Sequence, residues 1–123
     1  MMSAFSERYR SADSDLMQRV ASGDTNAFGD VYDQNANILF GLALRILNER
    51  REAEEVLQDV FIQVWRNASS FDENRGKIIS WLITLTRSRA IDRLRSLRAK
   101  RDRLGMDTEE GEDAGALDDI LMA

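Results

Sequence analysis

The chain has 123 residues, of which 43% are apolar and 32% are charged, and it contains no proline, cysteine or histidine. This length suffices for one domain with a modest core. Without cysteine or histidine, disulfides, thiolate metal sites and the commonest general base are excluded, and we expect no cofactor and no enzyme activity. No long apolar run or signal peptide is evident, which predicts a cytoplasmic protein that does not insert into membranes.

The net charge of -5 hides a strong segregation along the chain. Residues 1–86 hold nine basic and thirteen acidic side chains, whereas residues 87–103 hold eight basic and two acidic ones. Residues 104–123 hold seven acidic side chains and no basic one. This pattern predicts a polyanion-binding surface on 87–103, followed by a disordered acidic linker or tail.

The predicted elements are all helical, and the lack of proline favours long helices. Ser14 is the predicted cap of a first helix that ends at Gly23, and Thr25 begins a second helix that ends near Asn48. Residues 67–77 lack periodicity and form a predicted loop, and a fourth helix follows over 78–103. We therefore expect an all-α, compact bundle of about four helices over residues 13–103, after a flexible N-terminus at 1–12.

The third predicted helix carries the clearest amphipathic pattern in the chain. Apolar residues repeat at helical spacing from Ala53 to Trp65, so we predict that this face, including Phe61 and Trp65, is core. The opposite face is polar and acidic except for Ile62. The residues predicted to share this outward face are Glu52, Glu55, Gln58, Asp59 and Ile62.

Three segments, in this order and spacing, resemble region 2 of the sigma-70 family, and in particular its extracytoplasmic-function (ECF) sigma factors. The resemblance covers about residues 13–101. The matching motifs are Asp15-Leu16-Met17 with Ala21-Ser22-Gly23-Asp24 and Ala27-Phe28, then Glu52 to Phe61 with Trp65, and then Trp81-Leu82, Arg87, Ala90-Ile91-Asp92 and Leu94-Arg95.

The resemblance implies a non-enzymatic domain of a sigma factor. Such a domain docks on the clamp helices of the RNA polymerase beta-prime subunit, then captures unstacked bases of the non-template strand at the promoter minus-ten element. The acidic face of the third helix would be the polymerase-binding surface, and the competing interpretation is a solvated face whose charge suits a helix N-terminus. An anti-sigma factor that covers this surface is a further implied partner, and nothing in the sequence requires a dimer, so the free chain is expected to be monomeric.

The DNA-binding residues implied by the resemblance lie in the loop and on the fourth helix. An alternative interpretation is that the loop is a polar connector. Trp81 could likewise be a core residue instead of stacking on a base. Ser88 stands where many relatives carry asparagine, and Asp92 is expected to pair with Arg89 or Arg95 within the helix. The predicted DNA-binding residues are Asn67, Ser69, Ser70, Asn74, Arg75, Lys77, Trp81, Arg87, Ser88, Ile91, Arg95, Arg98 and Arg101.

A complete member of this family would continue into a second helical domain that reads the minus-thirty-five element. No such segment follows in the 123 residues, so clamp docking and minus-ten capture are the expected functions. The strongest alternative is a helical adaptor or regulatory bundle whose basic helix end binds acidic proteins. A helix-turn-helix repressor is disfavoured, because no short helix pair with a three- or four-residue turn precedes the basic helix.

Overall fold

The computed structural model describes residues 11–105, which form four α-helices and no strand. We label them α1 (Ala12–Ala21), α2 (Thr25–Leu47), α3 (Arg50–Asn67) and α4 (Ile78–Arg103). Two short 3-10 turns, Ala68–Ser70 and Glu73–Arg75, lie between α3 and α4. The prediction of an all-α bundle is confirmed. The predicted disordered tail lies outside the described residues, except for Leu104 and Gly105.

Helix α1 begins earlier than its predicted cap. Ser11, not Ser14, is the N-cap, and its side chain accepts a hydrogen bond of 3.0 Å from the backbone N–H of Ser14. The earlier start places Asp13 and Asp15 in the first turn, where acidic side chains interact favourably with the helix dipole. The helix stops before Gly23, whose φ of 93° suits glycine, as the sequence predicted.

Helix α2 is the central helix, and it packs against both α3 and α4. Asp24 caps its start by accepting from the N–H groups of Asn26 and Ala27, and Asn48 ends it in the left-handed conformation, with φ of 56°. Polar residues interrupt the apolar pattern of α2 at Gln34, Asn35 and Asn37, and Asn35 is buried. Its side-chain amide donates to the carbonyl of Val31 at 2.8 Å, so the burial of this polar group is compensated.

The core lies between α2, α3 and α4, and α1 covers one end of it. Leu39, Val60, Val64 and Leu82 are fully buried at its centre, and Met17 and Val20 are the contribution of α1. The last buried residue of α4 is Ile91, and Leu94 and Leu97 are only partly buried. The basic half of α4 therefore extends along the bundle with most of its charged side chains in solvent. No helix in residues 11–105 is long and apolar enough to cross a membrane.

Candidate protein and nucleic-acid interfaces

Four of the five predicted polymerase-binding residues form one exposed surface on α3. We call Glu55, Gln58, Asp59 and Ile62 the docking stripe, and all four are exposed. Ile62 is 48% exposed, which is high for an isoleucine in the middle of a helix. The fifth residue, Glu52, lies at the edge of this surface and is mostly buried, with 17% of its side chain exposed.

Arg93 of α4 forms ion pairs with acidic side chains near the N-terminus of α3. These contacts were not predicted from the sequence. The Nε of Arg93 donates to a carboxylate oxygen of Glu52, and its Nη2 donates to Glu55 at 2.6 Å. The hydrogen bond to Glu52 raises the pKa of Arg93, with further contributions from the negative charges of Glu52, Glu55 and Asp59. Asp59 itself makes no ion pair within residues 11–105 and remains available to a partner.

A groove of about 520 Å³ runs between α3 and α4 beside the docking stripe. Asp59, Ile62 and Asn67 line it from α3, and Arg89 lines it from α4. Arg89 donates to the side-chain oxygen of Gln63 at 2.8 and 2.6 Å. The predicted pairing of Arg89 or Arg95 with Asp92 is wrong, since the described residues form no such ion pair and Arg89 turns toward α3 instead.

Trp65 is a correction to the predicted core. It is 41% exposed, and its ring packs edge-on against Phe28 of α2 at 5.3 Å between centroids. Phe61, one turn earlier, is buried as predicted and contacts Tyr32, which is itself 43% exposed. Trp65 and Ile62 are three residues apart on α3, so the apolar surface of the docking stripe extends to an aromatic edge.

A pocket of about 390 Å³, which we call the loop pocket, lies where the 3-10 turns meet the start of α4. Phe71 and Trp81 form its aromatic wall, with ring centroids 5.7 Å apart. Trp81 is partly buried and lines the pocket. The lining residues are Ser70, Phe71, Asp72, Arg75, Gly76, Lys77, Ser80, Trp81 and Thr84.

The structure brings some of the predicted loop residues together at the loop pocket and leaves others apart. Arg75, Lys77 and Trp81 line it, as does Ser70. Asn67 lies instead in the groove beside the docking stripe. The remaining predicted loop residues, Ser69 and Asn74, are exposed but do not line the pocket.

The predicted DNA-binding residues of α4 are likewise divided. Ser88 and Arg95 are exposed, follow Trp81 at seven-residue intervals and so share its side of the helix. Arg87 and Arg98 are partly buried, and Arg101 is exposed near the helix end. Ile91 is a correction, because it is 5% exposed and belongs to the core, where no strand of DNA reaches it.

No group of three or more acidic, histidine or cysteine side chains in residues 11–105 is arranged to hold a metal ion. The described residues present an acidic-apolar stripe, an aromatic-lined pocket and a basic helix end.

Residues 31–100 match the family described as Sigma-70 region 2. Because this match covers more than half of the 123 residues, the chain belongs to the Sigma-70 region 2 family. Its curated relatives include the ECF RNA polymerase sigma factor SigK of Mycolicibacterium vanbaalenii, which is 39% identical over 110 residues, or 87% of this chain and 56% of that protein. The proteins of the same name from Mycobacterium bovis and Mycobacterium tuberculosis are each 40% identical over 88 residues, or 72% of this chain and 47% of theirs.

These relatives confirm the resemblance to ECF sigma factors. The chain spans about half the length of the curated relatives it matches.

Proposed function

We propose that this chain is a sigma-factor domain that docks on the beta-prime clamp helices of RNA polymerase and captures the non-template strand of the minus-ten element. It acts in the cytoplasm, as a binding and melting module without catalysis of its own. The observation that carries the proposal is the exposed pair Asp59 and Ile62 on a helix whose other acidic residues are already paired, Glu52 and Glu55 with Arg93 and Glu54 with Arg50.

The docking stripe suits a basic partner helix. A partner residue that pairs with Asp59 does not compete with an internal arginine, and a neighbouring apolar residue would cover Ile62 and the edge of Trp65. Fully burying an isoleucine side chain contributes about 1.5–3 kcal/mol, so covering the 48% of Ile62 that is exposed contributes about 1 kcal/mol, which matches or exceeds the contribution of one exposed ion pair. We therefore expect Ile62 to supply most of the affinity and Asp59 to orient the partner. An anti-sigma factor that covers the same stripe would compete with the polymerase.

The loop pocket suits an unstacked base. Trp81 and Phe71 offer aromatic surface, and Arg75 and Lys77 bring positive charge to the rim, where the flanking phosphates would pass. From there the strand can follow Ser88 and Arg95 along α4. Stacking of one base on an aromatic side chain contributes about 1–3 kcal/mol, so we expect Trp81 to be the principal DNA contact in the pocket.

The decisive experiment measures binding of the chain to a purified beta-prime clamp-helix fragment by fluorescence anisotropy. The variant Asp59→Arg with Ile62→Ala should bind at least about tenfold more weakly, because it loses about 1 kcal/mol of apolar burial and reverses a charge. The matched control is Asp33→Arg with Ile38→Ala, which changes an exposed acid and an exposed isoleucine on α2 and should bind like the wild type.

Equal weakening by both double variants would assign the effect to net charge and argue against the docking stripe. No binding by the wild-type chain at high micromolar concentration would refute clamp docking and favour the adaptor alternative. Circular dichroism and the melting temperature of each variant verify that the bundle remains folded.

A further inference from the structure

We infer that the first turn of α1 positions the loop pocket, with Asp13 as the main positioning residue. This inference rests on the proposed function of that pocket. A side-chain oxygen of Asp13 accepts a hydrogen bond of 2.9 Å from the backbone N–H of Ile78, the first residue of α4 and 65 positions away in sequence. Asp13 is partly buried and Ile78 is buried, so this bond is shielded from competing water.

Ser11 makes a second connection from α1 to the same loop. Its side-chain hydroxyl donates to a carboxylate oxygen of Glu73 at 2.6 Å, and its backbone N–H donates to the same oxygen at 3.3 Å. Glu73 and Ile78 flank the four residues 74–77, three of which line the loop pocket. The pocket-forming segment is therefore attached to α1 at both of its ends.

The start of α4 depends on this external partner. Lys77 occupies the N-cap position and makes no side-chain cap hydrogen bond, and no acidic residue lies in the first turn. Asp13 supplies from another helix the acceptor and the negative charge that a helix N-terminus usually obtains locally. Gly76, just before the helix, has φ of 131° and ψ of -169°, a conformation largely restricted to glycine. Because glycine has no side chain, local side-chain packing does not fix the conformation of this turn.

Trp81 is the functional group that this arrangement would orient. Its backbone N–H donates to the carbonyl of Lys77 at 3.2 Å, so its position on α4 depends on how the first turn is set. A shift of that turn would move the indole relative to Phe71 and to the basic rim. Asp13 is thus expected to affect base capture without touching DNA, and to leave the docking stripe on α3 unaffected.

The test compares Asp13→Ala, Asp13→Asn and Asp24→Ala in the full chain. Asp24→Ala is the matched control, because it also removes a carboxylate that accepts from first-turn N–H groups, but at α2 and away from the loop pocket. The probes are a labelled single-stranded dodecamer, selected from a random pool with the wild-type chain, and its scrambled sequence.

Asp13→Ala should lower the affinity for the selected dodecamer about tenfold and reduce its preference over the scrambled strand, with clamp-fragment binding unchanged. Asp13→Asn, which keeps an acceptor oxygen, should recover the affinity to within about threefold. Asp24→Ala should leave both affinities at the wild-type level. Ser11→Ala removes both the hydroxyl bond to Glu73 and the cap hydrogen bond from the Ser14 N–H, so it tests this second connection together with the start of α1 and should also lower the affinity.

Hydrogen exchange at residues 74–81 gives an independent readout. Exchange there should accelerate in Asp13→Ala and not in Asp24→Ala. Equal exchange, or equal dodecamer affinity, in these two variants would overturn the positioning role. Lack of any strand preference in the wild-type chain would instead refute the proposed DNA function, while the exchange data would still report whether α1 holds the loop.

Discussion

Arg93 shows how one residue of a basic segment can serve the fold rather than a polyanion. It lies on α4 among the eight basic residues of 87–103, yet its guanidinium group binds Glu52 and Glu55 of α3. Only 17% of the Glu52 side chain is exposed, so this carboxylate depends on its partner more than a surface acid does. The contact joins the helix of the docking stripe to the helix that carries Trp81.

We predict that Arg93→Met destabilises the chain by about 1 kcal/mol in urea unfolding. The value is at the low end for a buried pair, because 41% of the Arg93 side chain is exposed and solvent screens its charge. Adding Glu52→Gln should cost less than the sum of the two single changes, since the neutral amide no longer needs a cation. Arg103→Met, an exposed residue near the end of α4, is the control and should change stability by less than about 0.5 kcal/mol. Strict additivity of the two changes would show that the pair does not stabilise the fold.

The predictions of side-chain burial made from the sequence failed where burial depends on contacts with other helices. Phe61 and Trp65 both follow the helical period of α3, but that period gives only the direction of a side chain. Trp65 lies at the edge of α2, where the covering helix leaves 41% of it exposed. Ile91 failed in the opposite sense, because its motif placed it on the DNA-reading helix and packing placed it in the core. The exposure of Ile62, by contrast, was predictable, since it interrupts an otherwise polar face.

At the scale of whole elements, local chemistry determined most helix bounds. The glycine after α1, the aspartate before α2 and the asparagine after it are strong signals for helix ends, and the predicted and observed limits agree there. The start of α4 was also predicted, at Ile78. The residue that caps α4 was not predicted, because Asp13 lies in another helix and no local sequence pattern indicates its contact with Ile78. The predicted cap of α1, Ser14, lies three residues after the observed cap, Ser11.

The cap of α2 gives a pH-dependent prediction. Hydrogen bonds from the backbone of Ala27 and the side chain of Arg19 lower the pKa of Asp24 below its ordinary value of 3.8. The folded state therefore favours the charged carboxylate. The resulting stability is fully present above pH 3.8 and is lost as the pH falls through the lower folded-state pKa.

We expect Asp24→Asn to show a shallower loss of stability than the wild type between about pH 5 and about pH 2, measured by urea midpoints at each pH. Asp30→Asn, an exposed acid on the same helix, removes the same charge and should leave the acid dependence like that of the wild type. Parallel curves for the wild type and Asp24→Asn would indicate that this cap does not contribute to the acid dependence.

Across the whole molecule, function depends on where the charges lie rather than on their sum. The net charge is -5, but the exposed end of α4 presents Arg95, Lys100, Arg101 and Arg103. Arg89 and Arg93 belong to the same basic segment of the sequence, but their side chains bind residues of α3. The number of cations available to a phosphate backbone is thus smaller than the sequence count of eight, and those that remain are concentrated at one end.

This distribution predicts the salt dependence of single-strand binding. Each phosphate contact contributes about 0.7 to the slope of log affinity against log salt concentration for single strands. Arg101→Gln with Arg103→Gln should therefore reduce the slope by up to about 1.4 and weaken the selected and scrambled dodecamers alike, because phosphate contacts carry no sequence information. Arg45→Gln with Arg51→Gln removes two exposed cations from the α2–α3 side and should leave the slope unchanged. If both pairs lowered the slope equally, the overall field of the chain, and not the end of α4, would attract the strand.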